Sequence, residues 1–513
     1  MIVDVARVLK ATRLVRWRTL LALTVALTSA ACEGRCAGVG LVTGRDGPTS
    51  ESGQSETDAT TTFRGGIHRI IVAYNDETAS SSTIQYGPTS RKVLRGASLM
   101  GWSYSEDSGA TWKYGGKVAP PPGWAVLWGD PALTTSQVNY SLTFMSNLAF
   151  PDAKFPAGGV DGPVYSAVGG ACIARSTDAG VTFRHFQCLT NRAPVPGRPD
   201  AVNGHFYDGG SMAAGPQGEI YASFVDIETS QLDIWVSPDG NQPFTPMPTP
   251  FPNYYVGSHP RIRVSTDGTL YVMAVIKQAE SNALILAASR FRNGTWQVPT
   301  FVMSFVAANP EVPLGSTVLG SPLTVRTGPQ FSFDIGASSA DRDDRIRFMA
   351  TQYNNRQWLF VRGGICDFGL KSCGWYDGWT FGVANPGDRD TQRLDVFNPN
   401  VAAFPGFFGI APRWQGTTLT RFGNSTTTLN LTRGTLGYVN GSPLAIPFDI
   451  AQGNPVCSDT RGYWGDYDGF LHVQLDGDRL RFMRFLTDSS LGCSQRWTFT
   501  ARHQHVRAVD YWY

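Results

Sequence analysis

Five stretches of the chain carry side chains from which a reaction could be assembled. They are Gly129-Asp130-Pro131, Tyr207-Asp208-Gly209-Gly210, Ser258-His259-Pro260-Arg261, Asn398-Pro399-Asn400 and Trp464-Gly465-Asp466-Tyr467-Asp468-Gly469. Each precedes an apolar run of strand character, so each stands where a strand begins. If the strand starts converge, Asp130, Asp208, His259, Arg261, Arg461, Trp464, Asp466, Tyr467 and Asp468 meet at one place. Paired carboxyl groups exchange protons with a leaving oxygen. Guanidinium groups grip a carboxylate through paired hydrogen bonds, and aromatic rings offer a flat face for a sugar. The combination suits an acidic carbohydrate. A plainer role stays open: Asp130 and Asp466 tie strand starts to backbone N–H groups, and Trp464 packs between sheets.

The elements that must position these residues are strands. Charged residues make up 16% of the 513, and the chain holds 56 Gly and 32 Pro; sparse charge with abundant turn formers points to an all-β chain. Runs such as His68-Arg69-Ile70-Ile71-Val72-Ala73-Tyr74 and Thr269-Leu270-Tyr271-Val272-Met273-Ala274-Val275-Ile276 are short, β-rich and bounded by turn residues. The formal charge of +2 gives no reason to propose a nucleic acid partner.

One octapeptide organises the turns. Ser105-Glu106-Asp107-Ser108-Gly109-Ala110-Thr111-Trp112 fits the pattern S-x-D-x-G-x-T-W at every fixed position. A second copy reads Ser176-Thr177-Asp178-Ala179-Gly180-Val181-Thr182-Phe183, and a decayed third reads Ser237-Pro238-Asp239-Gly240-Asn241-Gln242-Pro243-Phe244. Ser and Asp side chains bond to nearby backbone N–H groups and hold a tight turn. Gly supplies a positive φ, and the Thr and aromatic restart a strand. Ser105, Asp107, Gly109, Trp112, Ser176, Asp178, Gly180 and Phe183 are therefore read as a turn scaffold.

These copies resemble the Asp-box, or bacterial neuraminidase repeat, of the sialidase superfamily. The resemblance implies a single β-propeller of four-stranded antiparallel blades. Weaker turn-plus-aromatic markers follow at Asn293-Gly294-Thr295-Trp296, Asp377-Gly378-Trp379-Thr380-Phe381, Arg433-Gly434-Thr435-Leu436 and Gln495-Arg496-Trp497-Thr498-Phe499. That makes seven slots and favours seven blades; six is the number in sialidases, and the last repeat divides in more than one way. The resemblance also implies an exo-acting glycoside hydrolase on acidic glycans. Retaining sialidases use a Tyr nucleophile, an Asp acid/base and three Arg. On that pattern Tyr467 is the nucleophile, Asp130 or Asp466 the acid, and Arg261, Arg413 and Arg461 an arginine set, with Asp208, His259 and Trp464 as further substrate contacts. The family's F/Y-R-I-P motif before the first box is absent; the nearest text, Pro260-Arg261-Ile262, follows the second and third boxes. A non-catalytic propeller that binds glycans or proteins is the alternative.

The N-terminus reads as an address. Lys10, Arg13, Arg16 and Arg18 precede an apolar run from Thr19 to Ala31, as in a secretory signal peptide over 1–31. Ser29-Ala30-Ala31-Cys32 fits either ordinary cleavage or a bacterial lipoprotein with lipid on Cys32. The expectation is a secreted or cell-envelope protein, with a flexible tether over 32–62 and the propeller over 63–513. Eight cysteines agree with export. Cys172 and Cys188 flank the second box and would face each other on neighbouring strands. Cys366 and Cys373 would close a small loop, and Cys457 and Cys493 would pair in the last repeat. No C-x-x-C occurs, the seven histidines do not gather near the cysteines, and no Walker loop or H-E-x-x-H is present. No metal and no cofactor is expected. Asp341-Arg342-Asp343-Asp344-Arg345 reads as a solvated turn.

Overall fold

A computed structural model describes residues 37–42, 54–76, 97–124, 126–150, 153–154, 164–165, 169–189, 207–227, 229–257, 259–278, 284–305, 311–314, 323–326, 331–335, 345–354, 358–369, 371–381, 392–397, 401–404, 407–410, 413–422, 426–435, 438–439, 442–443, 461–462, 469–474, 480–488 and 505–512. Every regular element among them is a strand.

Local sequence accounts for the first sheet. Ile70-Ile71-Val72-Ala73-Tyr74 is β-branched and aromatic, and all five side chains are fully buried. Side chains of a strand alternate between its two faces. Here Ile70, Val72 and Tyr74 pack with Val473, Met483 and Phe485 from the end of the chain. Ile71 and Ala73 pack with Leu133, Met145 and Ala149 from the next sheet. A sheet covered on both faces reads as a continuous apolar run rather than as an alternating one.

The pattern repeats around a ring. Blade one is Gln54–Arg64, Ile67–Asp76, Met100–Ser105 and Lys113–Lys117. Blade two is Val126–Thr135, Thr143–Phe150, Gly170–Ser176 and Arg184–Leu189, and blade three is Tyr207–Ala214, Ile220–Asp226, Gln231–Ser237 and Thr245–Met247. Blade four is Arg261–Val264, Leu270–Gln278, Leu284–Arg292 and Thr300–Phe305, with Tyr254–Val256 and Thr295–Trp296 added. Blade five is Phe331–Ile335, Arg345–Asn354, Trp358–Asp367 and Ser372–Phe381. Blade six is Val401–Phe404, Phe407–Ile410, Tyr438–Val439 and Ser442–Pro443. Blade seven is Gly469–Gln474, Leu480–Asp488, His505–Trp512 and, outermost, Ala37–Leu41. The first strand of each blade packs beside the first strand of the next, and that of blade seven beside that of blade one. Among the described residues seven of the ten sheets thus form the blades of an all-β propeller.

The N-terminal strand closes the ring, pairing antiparallel from Ala37 opposite Tyr511 to Leu41 opposite Arg507. Closure of this kind leaves no long free edge. It corrects the expected tether over 32–62, because Ala37–Leu41 and Gln54–Arg64 are strands of the propeller. A Ser-, Thr- and acid-rich segment looks unable to bury a core, but Gln54–Arg64 pairs in a hairpin with the apolar Ile67–Asp76, and Ala37–Leu41 pairs with the distant His505–Trp512. Cys172 lies opposite Cys188 and Cys366 opposite Cys373, and both pairs are disulfides. Cys32, Cys457 and Cys493 lie outside the described residues.

Candidate functional site at the channel mouth

Three first strands share one irregularity. In blade one the register slips between Ser55 and Asp58, in blade two between Gly129 and Ala132, and in blade three between Asp208 and Ser211. Each slip is a β-bulge, which turns the extra residue out of the ladder. The residue at the bulge is left-handed each time: Glu56 at φ 51°, Asp130 at φ 53° and Gly209 at φ 59°. His259, just before the first strand of blade four, has φ 62°. Left-handed backbone in Glu, Asp and His is uncommon and persists only where the surroundings enforce it.

Asn75 is one such enforcer. Its Nδ2 donates to Glu56 Oε2 at 2.5 Å, and its Oδ1 accepts from Asp130 N at 2.9 Å. A Cβ on Gly129 would fall 2.3 Å from that Oδ1, so the approach requires glycine. A Cβ on Gly209 would fall 2.5 Å from the backbone nitrogen of His259. The three bulges and His259 are therefore wedged together, blade one on blade two at Asn75 and blade three on blade four at Gly209.

The wedge gathers chemistry. Donor atoms of Asp130, Asp208 and His259 lie within 4.8 Å of one another, and all three residues are half-buried. The Asp130 carboxyl is also hydrogen-bonded to Glu56, which is 2% exposed. Burial pushes the Asp130 carboxyl well above the usual carboxylate range; Glu56 and Asp208 push it the same way, and His259 opposes them. On the same strand as Glu56, the half-buried Asp58 accepts from Leu133 N at 2.7 Å and from Ala59 N at 2.9 Å. Burial raises its pKa, while the Leu133 bond and the charges of Arg261 and Arg263 pull it down. Those arginines stand on blade four, so their field reaches an acid of blade one. The ring is pinned at the same depth: Gly469 N donates to Thr57 Oγ1 at 2.9 Å, and Ile262 N donates to Ser211 Oγ at 3.2 Å.

Of the residues expected from sequence, the structure brings together Asp130, Asp208 and His259, with Arg261 beginning the strand that follows. Arg461 lies on a two-residue strand parallel to Leu323–Arg326, and Arg413 begins a strand of a separate three-stranded sheet; neither is on one of the seven first strands. Trp464, Asp466 and Tyr467 lie outside the described residues, though Gly469 follows them closely in sequence. Glu56, Asp58 and Asn75 were not expected. The available signal was the strand-like Ala59-Thr60-Thr61-Thr62-Phe63 run ending in Gly65-Gly66, which places a blade where a tether was read.

The octapeptide turns sit elsewhere, each between the third and fourth strands of its blade. In the second, Gly180 N donates to Ser176 Oγ at 2.8 Å, and Thr182 N and Oγ1 donate to the two Asp178 oxygens at 2.9 and 2.7 Å. The first repeats this set with Ser105, Asp107, Gly109 and Thr111. Each terminal aromatic packs on the preceding blade: Trp112 on Phe485 at 5.7 Å, Phe183 on Trp102 at 5.3 Å and Phe244 on Phe144 at 6.4 Å.

The chain is defined by these features as a seven-sheet propeller with an acid- and imidazole-lined mouth. No family model matches it, and no curated protein matches it by sequence. Among solved structures it is similar to a leech intramolecular trans-sialidase complexed with 2,7-anhydro-Neu5Ac, at 12% identity and TM-score 0.42, covering 77% of this chain and 70% of that one. It is similar to the NanB sialidase of Streptococcus pneumoniae at 12% identity and TM-score 0.41, covering 73% and 67%. It is also similar to the α-L-arabinofuranosidase Arb93A of Fusarium graminearum at 12% identity and TM-score 0.37, covering 76% and 95%.

Proposed function

We propose that the chain is a secreted or surface-tethered glycan-active propeller whose substrate site is the channel mouth, and that it is an exo-acting glycoside hydrolase on acidic glycans. The observation that carries this reading is the convergence of Asp130, Asp208 and His259 from three consecutive blades onto one spot beside Glu56.

The roles divide as follows. Asp130 is tied to Glu56 and to the bulge, so it shapes the floor rather than shuttling a proton freely. The acid then falls to Asp466 and the nucleophile to Tyr467, on the stretch that ends at Gly469, whose N–H reaches Thr57 beside Glu56. Asp208 and His259 face the sugar hydroxyls, Trp464 stacks on the ring, and Arg261 and Arg461 meet an acidic group. The two disulfides are compatible with an oxidising compartment.

A second reading has its own support. The mouth acids are engaged with one another, and Asp58 with the blade-four arginines, as in a propeller that binds a glycan or protein without chemistry. Hydrolysis of a panel of fluorogenic glycosides, sialosides included, separates the two. Turnover of one substrate, lost in Asp466→Asn and Tyr467→Phe with folding intact, is the expected result. No turnover across the panel, together with glycan capture that Asp208→Asn abolishes, would replace the hydrolase with the binding scaffold.

A further inference from the structure

The floor of the mouth has a property that the carbohydrate reading does not use. Asp130, Asp208 and His259 each offer one donor atom, and these atoms lie within 4.8 Å of one another. They are far apart in sequence and meet through the bulges of blades two and three and the left-handed turn at His259, so no spacing motif announces them. The set is two carboxylate oxygens and one imidazole nitrogen. That mixture suits a first-row divalent cation such as zinc or manganese; calcium prefers oxygens throughout. Metal bonds of about 2.0–2.2 Å place ligands about 3.5 Å apart, a separation that modest side-chain rotations reach from the present one. Glu56 touches Asp130 and is itself held by Asn75, which is how an outer-shell carboxylate steadies a ligand.

A second observation lies on the strand behind the blade-two bulge. Ser146 and Asn147 are both fully buried, yet Ser146 Oγ and both amide atoms of Asn147 have no hydrogen-bond partner within the protein. Gly129 lies opposite Leu148 and Ala132 opposite Ser146, so Asn147 stands opposite the bulged Asp130 and Pro131. The residue at that place is Tyr74 in blade one and Phe224 in blade three, both fully buried rings. A small amide in a slot that neighbouring blades fill with a ring leaves room for water, and orphaned buried polar groups demand it. Ser146 lines the other face of the sheet. A Cβ on Gly210 would lie 3.2 Å from Ser146 Oγ and 3.6 Å from the Asp130 carbonyl oxygen, so this hydroxyl is turned toward the same bulge.

We infer that Asp130, Asp208 and His259 bind one first-row divalent cation at the channel mouth, with Glu56 as its outer shell and water held behind the bulge by Asn147 on one face of the blade-two sheet and by Ser146 on the other. The cation would join blades two, three and four through one bond each. Three protein ligands leave positions open toward the channel, where the hydroxyls of a bound glycan would coordinate. The binding claim stands whether or not the mouth turns over a glycan.

The test is calorimetric titration of the metal-stripped full-length protein with zinc, manganese and calcium chlorides, with no glycan present. One equivalent of zinc or manganese should bind, and Asp208→Asn and His259→Gln should each weaken it at least tenfold at unchanged circular dichroism. X-ray absorption on the loaded wild type needs no variant to fold, and should show oxygen and nitrogen neighbours at about 2.0–2.2 Å. Absence of saturable binding, wild-type affinity in either variant, binding of calcium alone, or a shell without nitrogen would each overturn the assignment.

Discussion

Gly180 and Gly66 have nearly the same backbone conformation, φ 81° and 82°, in different surroundings. A Cβ on Gly180 would fall 1.9 Å from Ile71 Cδ1 on the preceding blade, whereas nothing lies within 4 Å of one on Gly66. The two alanine substitutions therefore separate conformation from contact. Gly66→Ala should cost the left-handed penalty alone, about 1 kcal/mol. Gly180→Ala should add crowding against a packed neighbour, for a total of about 2–4 kcal/mol. Urea unfolding of both variants reads the difference, and equal losses would show that box glycines are retained for φ and not for the close approach of blades. Gly109 and Gly240 repeat the arrangement, with Met483 and Phe144 as the crowded neighbours.

Each box turn is also an element with a pH dependence. Burial by itself would raise the Asp178 pKa, but the bonds from Thr182 N–H, the Thr182 hydroxyl and the Ser176 hydroxyl together hold it below the usual value. Asp107 is held down by the matching bonds in the first turn. A carboxylate with a depressed folded pKa stabilises fully above its unfolded value, near pH 4, and loses that contribution as pH falls through the folded value. Asp178→Ala should thus lower stability by about 1 kcal/mol at pH 7, and the gap to wild type should narrow below about pH 4. A gap that stays constant from pH 7 to pH 2.5 in chemical denaturation would remove the charge from the account. These turns were legible in the sequence because all their bonds fall within eight consecutive residues. The mouth was legible only in part. Asp130, Asp208 and His259 could be named as strand starts, because Pro and Gly mark where the ladder is interrupted. Glu56 and Asp58 could not, because nothing in Thr-rich, acidic text announces that blades two and seven donate backbone N–H groups to its side chains.

At the scale of the whole molecule the ring is shut by its two chain ends. Ala37–Leu41 completes blade seven, and Val42 joins the apolar cluster shared by blades seven and one. That cluster includes Tyr74, whose hydroxyl bonds Ser103 at 2.8 Å. Arg481 of blade seven pairs with Asp510 at 2.7 Å and reaches the carbonyl of Ser108 in the first box turn. Removing residues 1–42 should expose the edge of His505–Trp512 and loosen one boundary while leaving the others packed. Hydrogen exchange should then quicken over 67–76 and 480–488 and stay slow over 220–226 and 270–278. Uniform quickening would mean that the ring unfolds as one unit and that closure stabilises every blade alike.

The bulge carries a consequence for how such a molecule changes over generations. In a regular strand each side chain is committed to one of two packed faces, so its size is dictated by the neighbour it fills against. The bulged residue belongs to neither face. Glu, Asp and Gly occupy the equivalent place in blades one, two and three over cores of ordinary apolar residues. In blades one and two the rim can therefore be rewritten one letter at a time without repacking the walls, while Gly209 stays closed against the His259 backbone; two descendants of this ring with interchangeable interiors could greet quite different molecules at its opening.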